Sequence, residues 1–496
     1  MKKIILIPLI LLLCISLFNS CKPGKNEEEV PIIGQLDYTS AQIEQMLNQT
    51  FRIDIKTIEV IFDYFPEPGN SHVECYAKVK FTMRPGQTRP VIHLNPAIES
   101  KEVVTGILLN DEPLDIFDEA DVRNLSFANT TQVALEFQRD LAENQEHTLM
   151  MTYRLTTHGD HPFWGWAIND DYPWFITFAI DIVGRGNEDV FPTINSPNEL
   201  ARHVLVFRVH SDTAYTCLGS GWVQQIPSAN VQEWRLDTER EVASYTVMFL
   251  VLPAEDVVYE ERNISGIDVR VMAFIDDLPI EDAFTKLETW LPELVNGLGP
   301  FPMPRGLSVF LISGGGGMEF FGGTTTNIGP LEHEVFHMYY GCSTVNKTYR
   351  DSWLDEAINR WYVNSLNPNY PAIENSYLSD IVSRFSPVTG AFDVRAYNEG
   401  AQIIQAVAEE LGGRDQMIAF LRYLCQNYAF SPFTTMDFVD YLRDYSGVDM
   451  RQRFLNWLYS DAAGGAPDAA AAHRFIQKHK VIMKPPESIL KKYRRK

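Results

Sequence analysis

Apolar and polar residues alternate through much of the first half of the chain. From His72 to Met83, the residues Val73, Cys75, Ala77, Val79, Phe81 and Met83 share one parity, the period of a strand with one buried face. Val133, Leu135 and Phe137 repeat the pattern, as do Leu149, Met151, Tyr153 and Leu155. Further strands are predicted over Val204 to Val209 and Ser244 to Leu252. Turn-rich pieces such as Arg84-Pro85-Gly86 separate these runs, so residues 45–260 read as a β domain, either a sandwich or an open, saddle-like sheet.

The period changes near Tyr259 to Asn263. Phe284, Leu287, Leu291 and Val295 recur at helical spacing, and Gly297 to Pro300 closes that helix. A short apolar strand, Leu307 to Ile312, leads into the glycine run Gly314 to Gly317. A helix is predicted over Asp351 to Leu366, with Asp351 or Ser352 as its cap, and the pattern is helical beyond Tyr397. Gly412-Gly413 ends one helix there, Thr434 or Thr435 caps the next, and Met450 to Tyr459 forms the last. Residues 261–473 therefore form a second, mainly helical domain, and the fold class is α+β with two domains.

Composition and the chain ends change this picture in two ways. The chain has 496 residues, 45% of them hydrophobic, and a formal charge of -23, which suits a globular protein and disfavours nucleic-acid binding. Lys2 and Lys3 precede an apolar run from Ile4 to Phe18 that is short for a spanning helix. The run ends at Ser20-Cys21 and resembles a bacterial lipoprotein signal, residues 1–20. That resemblance implies acylation of Cys21, a polar tether over 21–44, anchoring to a lipid bilayer and a place in the cell envelope. An ordinary cleaved signal is the other reading. Cys75, Cys217, Cys342 and Cys425 are scattered, so sequence neither pairs them nor makes a zinc knuckle of them. The tail over 474–496 carries nine Lys or Arg against one Glu and reads as solvated. The aromatic run His161 to Phe175 reads as packing beneath a loop, with a cleft wall as the alternative.

One motif carries chemistry. Leu331-Glu332-His333-Glu334-Val335-Phe336-His337 holds His-Glu-x-x-His between Pro330, suited to a first helical position, and Gly341, suited to a stop. On a helix, His333 and His337 lie one turn apart and can grip one metal ion, with Glu334 beside them as a base. A catalytic zinc wants a third protein ligand. Glu356, 19 positions after His337 on the next predicted helix, can supply it.

With these residues, the sequence resembles the gluzincin metallopeptidases, most closely the aminopeptidase N and leukotriene hydrolase family. That family carries His-Glu-x-x-His, eighteen residues, then Glu in a Trp-Leu-Asn-Glu setting, matched here by Trp353-Leu354-Asp355-Glu356. Gly316-Gly317-Met318-Glu319 is similar to its Gly-x-Met-Glu-Asn strand, with Phe320 in place of Asn. Tyr397-Asn398-Glu399-Gly400 looks like its Tyr-x-x-Gly segment. Phe191 to Pro197 and Pro300 to Pro304 resemble two further family runs. The resemblance implies a saddle-shaped β domain followed by a thermolysin-like catalytic domain. It also implies one zinc ion on His333, His337 and Glu356, and peptide substrates. Glu334 would activate zinc-bound water, Tyr397 would steady the oxyanion, and Gly316, Gly317, Met318 and Glu319 would bind substrate. Glu319 would hold the free amino terminus and so make an aminopeptidase. Asp181 and Glu188 are the candidates for a second amino-group partner from the β domain. Two other readings stand beside this one: a zinc endopeptidase, and a catalytically dead peptide-binding lipoprotein.

Overall fold

The alternation seen in the sequence is the alternation of burial. In a computed structural model of the chain, strand His72–Met83 buries Val73, Cys75, Ala77, Val79, Phe81 and Met83 and turns the intervening residues outward. The structure describes residues 51–94, 103–125, 134–156, 165–168, 174–178, 187–194, 196–313, 316–347, 351–364 and 395–458, with Ser488 and Lys492. The signal, Cys21 and the tether lie outside them, as does most of the aromatic run. Of that run, Trp174 and Phe175 are buried in apolar clusters.

An eight-stranded sheet runs in the order Gln224–Ile226, Gln232–Ala243, Leu200–Val209, Ile53–Phe65, His72–Met83, Glu146–Thr156, Val104–Leu109 and Glu112–Leu114. Its neighbours pair antiparallel except Ile53–Phe65 with Leu200–Val209, which are parallel. A four-stranded sheet (Tyr215–Gly219, Phe249–Pro253, Phe175–Phe178, Gly165–Ile168) packs against it through aromatic rings. Phe62 and Phe207 from the large sheet meet Phe175 and Phe249 from the small one, with centroids 4.5 to 5.5 Å apart where Phe249 or Phe62 is a partner. Such edge and tilted pairs add to the burial of large apolar area. The predicted strand Ser244 to Leu252 divides. Ser244–Thr246 is a single 3-10 turn and only Phe249–Pro253 is strand. The turn is imposed by a buried amide, since Asn187 Nδ2 donates to the carbonyls of Ser244 and Val247.

The second half is built on a five-stranded sheet in the order Val257–Ile264, Ile267–Phe274, Leu307–Leu311, Gly323–Thr326 and Gly317–Phe320. Its middle strands are parallel, and Gly317–Phe320 closes one edge antiparallel to Gly323–Thr326. Helix Ile280–Leu298 connects two of the parallel strands and buries Phe284, Leu287, Leu291 and Leu294 against the core. Helices Leu331–Phe336, Trp353–Asn364, Arg395–Glu410, Arg414–Tyr428, Thr435–Ser446 and Arg451–Leu458 follow. Thr434 opens the fifth of these six with a reciprocal capping box to Asp437.

Three local expectations change. The His-Glu-x-x-His helix stops at Phe336, and His337 to Tyr339 continue as turns toward Gly341 at φ 122°. Asp351 reaches across the fold, its Oδ1 accepting the Thr435 N–H at 2.7 Å and the Thr435 hydroxyl at 2.8 Å. The basic tail returns to the protein at Lys492, whose Nζ lies 2.6 Å from the buried Asp256 carboxylate and 2.8 Å from Glu255. A buried carboxylate recruits a cation because leaving it unpaired is costly. Cys75, Cys217, Cys342 and Cys425 are all free thiols. Among the described residues, no helix is long and apolar enough to cross a membrane.

Candidate metal centre and active site

His333 projects from the short helix Leu331–Phe336, and His337 from the residue that caps its end, one turn on. Their Nε2 atoms face each other at 3.2 Å, with the rings nearly perpendicular. His337 Nδ1 donates to the Tyr340 carbonyl at 2.7 Å. A carbonyl can only accept, so the ring proton sits on Nδ1 and the Nε2 lone pair is turned inward. Glu356 comes from helix Trp353–Asn364, and its Oε2 lies 3.2 Å from His333 Nε2 and 3.6 Å from His337 Nε2. That oxygen is buried and accepts no well-formed hydrogen bond from the described residues.

These residues fit a zinc ion. Ligand atoms at about 2.0–2.1 Å from a tetrahedral ion stand roughly 3.3 Å from one another, close to the three separations found. The inward Nε2 of His337, the facing Nε2 of His333 and a buried carboxylate oxygen form a donor set of the kind that holds a divalent cation. The charges agree. Burial opposes the charged form of Glu356, but His337 and His333 hold its carboxyl well below the usual range. Burial likewise pushes the His337 imidazolium down, yet Glu319 and Glu356 carry it well above its ordinary value. Burial, the largest influence on His333, pulls its imidazolium below the ordinary value.

Glu334 occupies the next position on the helix and is buried. Its carboxylate rests against the edge strand. A Cβ placed on Gly317 would fall 2.5 Å from Glu334 Cγ and Oε1, so the glycine leaves the room that the Glu334 carboxyl occupies. Ligand atoms of Glu319, Glu334 and His337 all lie within 4.8 Å of one another. Glu319 is half-buried on that strand opposite Thr324; burial raises its carboxyl, His337 lowers it, and Glu356 raises it again, the net direction being upward. Gly316 enters the strand at φ 101°, in the left-handed region that favours glycine. Met318, half-buried, packs on a cluster with Phe310 and Phe274, and Phe320 is wholly buried there. The residue standing where the resembling family has Asn is thus a core residue.

Tyr397 lies in the first turn of helix Arg395–Glu410, and its hydroxyl donates to Glu356 Oε1 at 2.8 Å. Burial, then Glu356, pushes its pKa well up, so it remains a hydrogen-bond donor at neutral pH. Gly400, one turn on, explains the approach of the two helices. A Cβ there would meet the Ala357 Cβ at 2.8 Å.

The structure brings His333, His337, Glu356, Glu334, Tyr397, Gly317 and Glu319 together. Glu188 is fully buried in the 3-10 turn Asn187–Asp189, and Asp181 lies outside the described residues. Sequence reasoning missed three supports. They are the Tyr340 carbonyl, the Asn346–Asp355 bond (Nδ2 to Oδ2, 2.9 Å), and Asn359, whose Nδ2 donates to the His333 carbonyl at 2.8 Å. Only Asn359 left a signal, its i+3 spacing from Glu356.

No family model matches the chain, and no curated protein matches it by sequence. Solved structures do match. An M1 zinc metallopeptidase from Deinococcus radiodurans aligns with a TM-score of 0.62 at 16% identity, over 84% of this chain and 97% of that one. A mutant of that enzyme bound to a Tyr-Ser-Ala substrate gives the same values. Aminopeptidase A from Legionella pneumophila, in complex with aspartic acid, aligns with a TM-score of 0.66 at 13% identity, over 82% of this chain and 50% of that one. The chain therefore has the fold of the two-domain M1 zinc metallopeptidases, with a sheet-rich N-terminal part and a helical C-terminal part. At these identities the likeness is one of fold.

Proposed function

We propose that this chain is a zinc-dependent aminopeptidase that removes N-terminal residues from peptides. The observation that carries the proposal is the convergence of His333, His337 and Glu356 on one point, with Glu334 and Glu319 on the same side. The fold it shares with zinc metallopeptidases, one of them holding a peptide substrate, supports the reading.

His333, His337 and Glu356 would hold the zinc. When bound, the ion acts as a Lewis acid that polarises the scissile carbonyl and makes water a better nucleophile at neutral pH. Glu334 accepts the proton of the attacking water as its oxygen bonds to the carbonyl carbon. The same carboxyl then delivers that proton to the peptide nitrogen as the C–N bond breaks. Tyr397 donates a hydrogen bond to the carbonyl oxygen as negative charge develops on it. Glu319 accepts hydrogen bonds from the substrate's ammonium group, which sets the cut one residue from the chain end. The N-terminal run that ends at Cys21 adds a place to this activity. Acylated Cys21 would anchor the enzyme to a bilayer of the bacterial envelope, and palmitate labelling lost in Cys21→Ser is the expected result.

The test compares fluorogenic aminoacyl substrates with their N-acetylated forms, with and without chelator. Free substrates should be cleaved, blocked ones spared, and chelation should abolish turnover until zinc is restored. Equal cleavage of both forms would make the protein an endopeptidase. No cleavage by zinc-loaded protein would make it a binding lipoprotein.

A further inference from the structure

We propose that Asn359 is a positioning residue that sets the angle between the His333 ligand and the helix carrying Glu356. The inference rests on the zinc reading above and concerns how this chain holds the site in shape. Glu356 and Asn359 lie three residues apart on helix Trp353–Asn364 and so share the face turned to the His-Glu-x-x-His helix. One of them offers a carboxylate to the imidazoles, and the other bonds the backbone beneath the first imidazole. Asn359 is completely buried, and its Nδ2 donates to the His333 carbonyl at 2.8 Å. Its amide orientation follows from that contact, because the reversed group would set oxygen against oxygen.

The contact matters because the ligand helix is weak by itself. Leu331–Phe336 has six residues, and the bond from the His337 N–H to the same carbonyl is long, at 3.3 Å. So short a helix does not hold its own geometry, and its last carbonyls need partners from outside. Asn359 supplies one at the residue whose side chain is a ligand. The arrangement carries a cost that packing alone does not explain. Asn359 Oδ1 is buried with no hydrogen-bond partner among the described residues. A leucine would fill the space without that orphan acceptor, so the amide is retained for its donor.

The test replaces Asn359 by Leu, Ala and Asp in the full chain and reads zinc affinity by chelator competition. It also reads the visible spectrum of the cobalt-substituted protein and the melting temperature of the metal-free protein. Zinc affinity should fall about ten-fold or more in Leu and Ala and furthest in Asp, whose carboxylate would face the carbonyl. The cobalt bands should shift in all three, while metal-free Asn359→Leu melts within a few degrees of the parent. A merely structural residue would lower the metal-free melting temperature and leave affinity and spectrum unchanged, and that outcome overturns the proposal. Should Leu fail to fold, the smaller Ala variant decides on the same readouts. Failure of the parent protein to bind zinc would instead sink the zinc reading itself.

Discussion

The eight-stranded sheet and the candidate metal centre are stabilised in opposite ways. The sheet is made of long strands, thirteen residues in Ile53–Phe65 and twelve in His72–Met83, each with its own alternating pattern and a long ladder between them that shifts register once, between Ile55 and Thr57. The centre is made of short pieces. Its helix has six residues, its edge strand Gly317–Phe320 four, and their positions come from contacts with other elements. Long elements carry their own instructions, and short ones borrow theirs. Damage to the sheet should therefore appear as lost stability, and damage to the centre as lost chemistry in a protein that still folds.

The sharpest way to break this contrast is to truncate the aromatic layer. Phe62→Ala removes a ring that touches Phe175, Phe207 and Phe249 and should cost about 3–5 kcal/mol in denaturant unfolding. The surviving folded protein should bind zinc as the parent does. Loss of zinc binding in the folded fraction would show that the two regions are not separable. Glu334→Gln should do the reverse. Peptide turnover falls by about 10³-fold with the melting temperature and the zinc content, measured by metal analysis, unchanged. Activity surviving in this variant would mean that the base has been misassigned.

Smaller effects sharpen the assignment within the centre. Tyr397→Phe removes the donor aimed at Glu356 Oε1, and kcat should drop about 10²-fold with KM little changed. Glu319→Gln should lower kcat/KM for free aminoacyl substrates by roughly ten-fold and leave N-acetylated ones unaffected, since only the former place a charge on that carboxylate. An equal loss on both substrates would assign Glu319 to the chemistry and remove the basis for amino-terminal preference.

The legible parts of the fold were those with a repeated pattern. His72–Met83 appears in the structure with the boundaries that parity predicts, and the capping role of Thr434 follows from its place before Thr435–Ser446. Ser244 to Thr246 escaped because a buried amide from Asn187, distant in sequence, bends it into a turn. The early end of the ligand helix escaped for a related reason. Gly341 was a sound stop signal, but His337 Nδ1 takes the Tyr340 carbonyl and the chain turns before reaching the glycine.

By itself, the sequence singled out the side chains that the structure brings together at one place. The four-residue step from His333 to His337 puts both rings on one helical face whatever the surroundings, and the place of Glu334 beside them follows. Tertiary structure alone decided that Glu356 presents its Oε2 to both rings and that Tyr397 reaches its other oxygen. It also decided that Gly317 clears space for Glu334, that Phe320 is buried rather than exposed to a substrate, and that Asn359 fastens the ligand helix. The division is physical. Helical periodicity acts over one turn and is written in neighbouring residues, whereas a ligand set, a cleared space and a buried amide exist only once separate elements have packed.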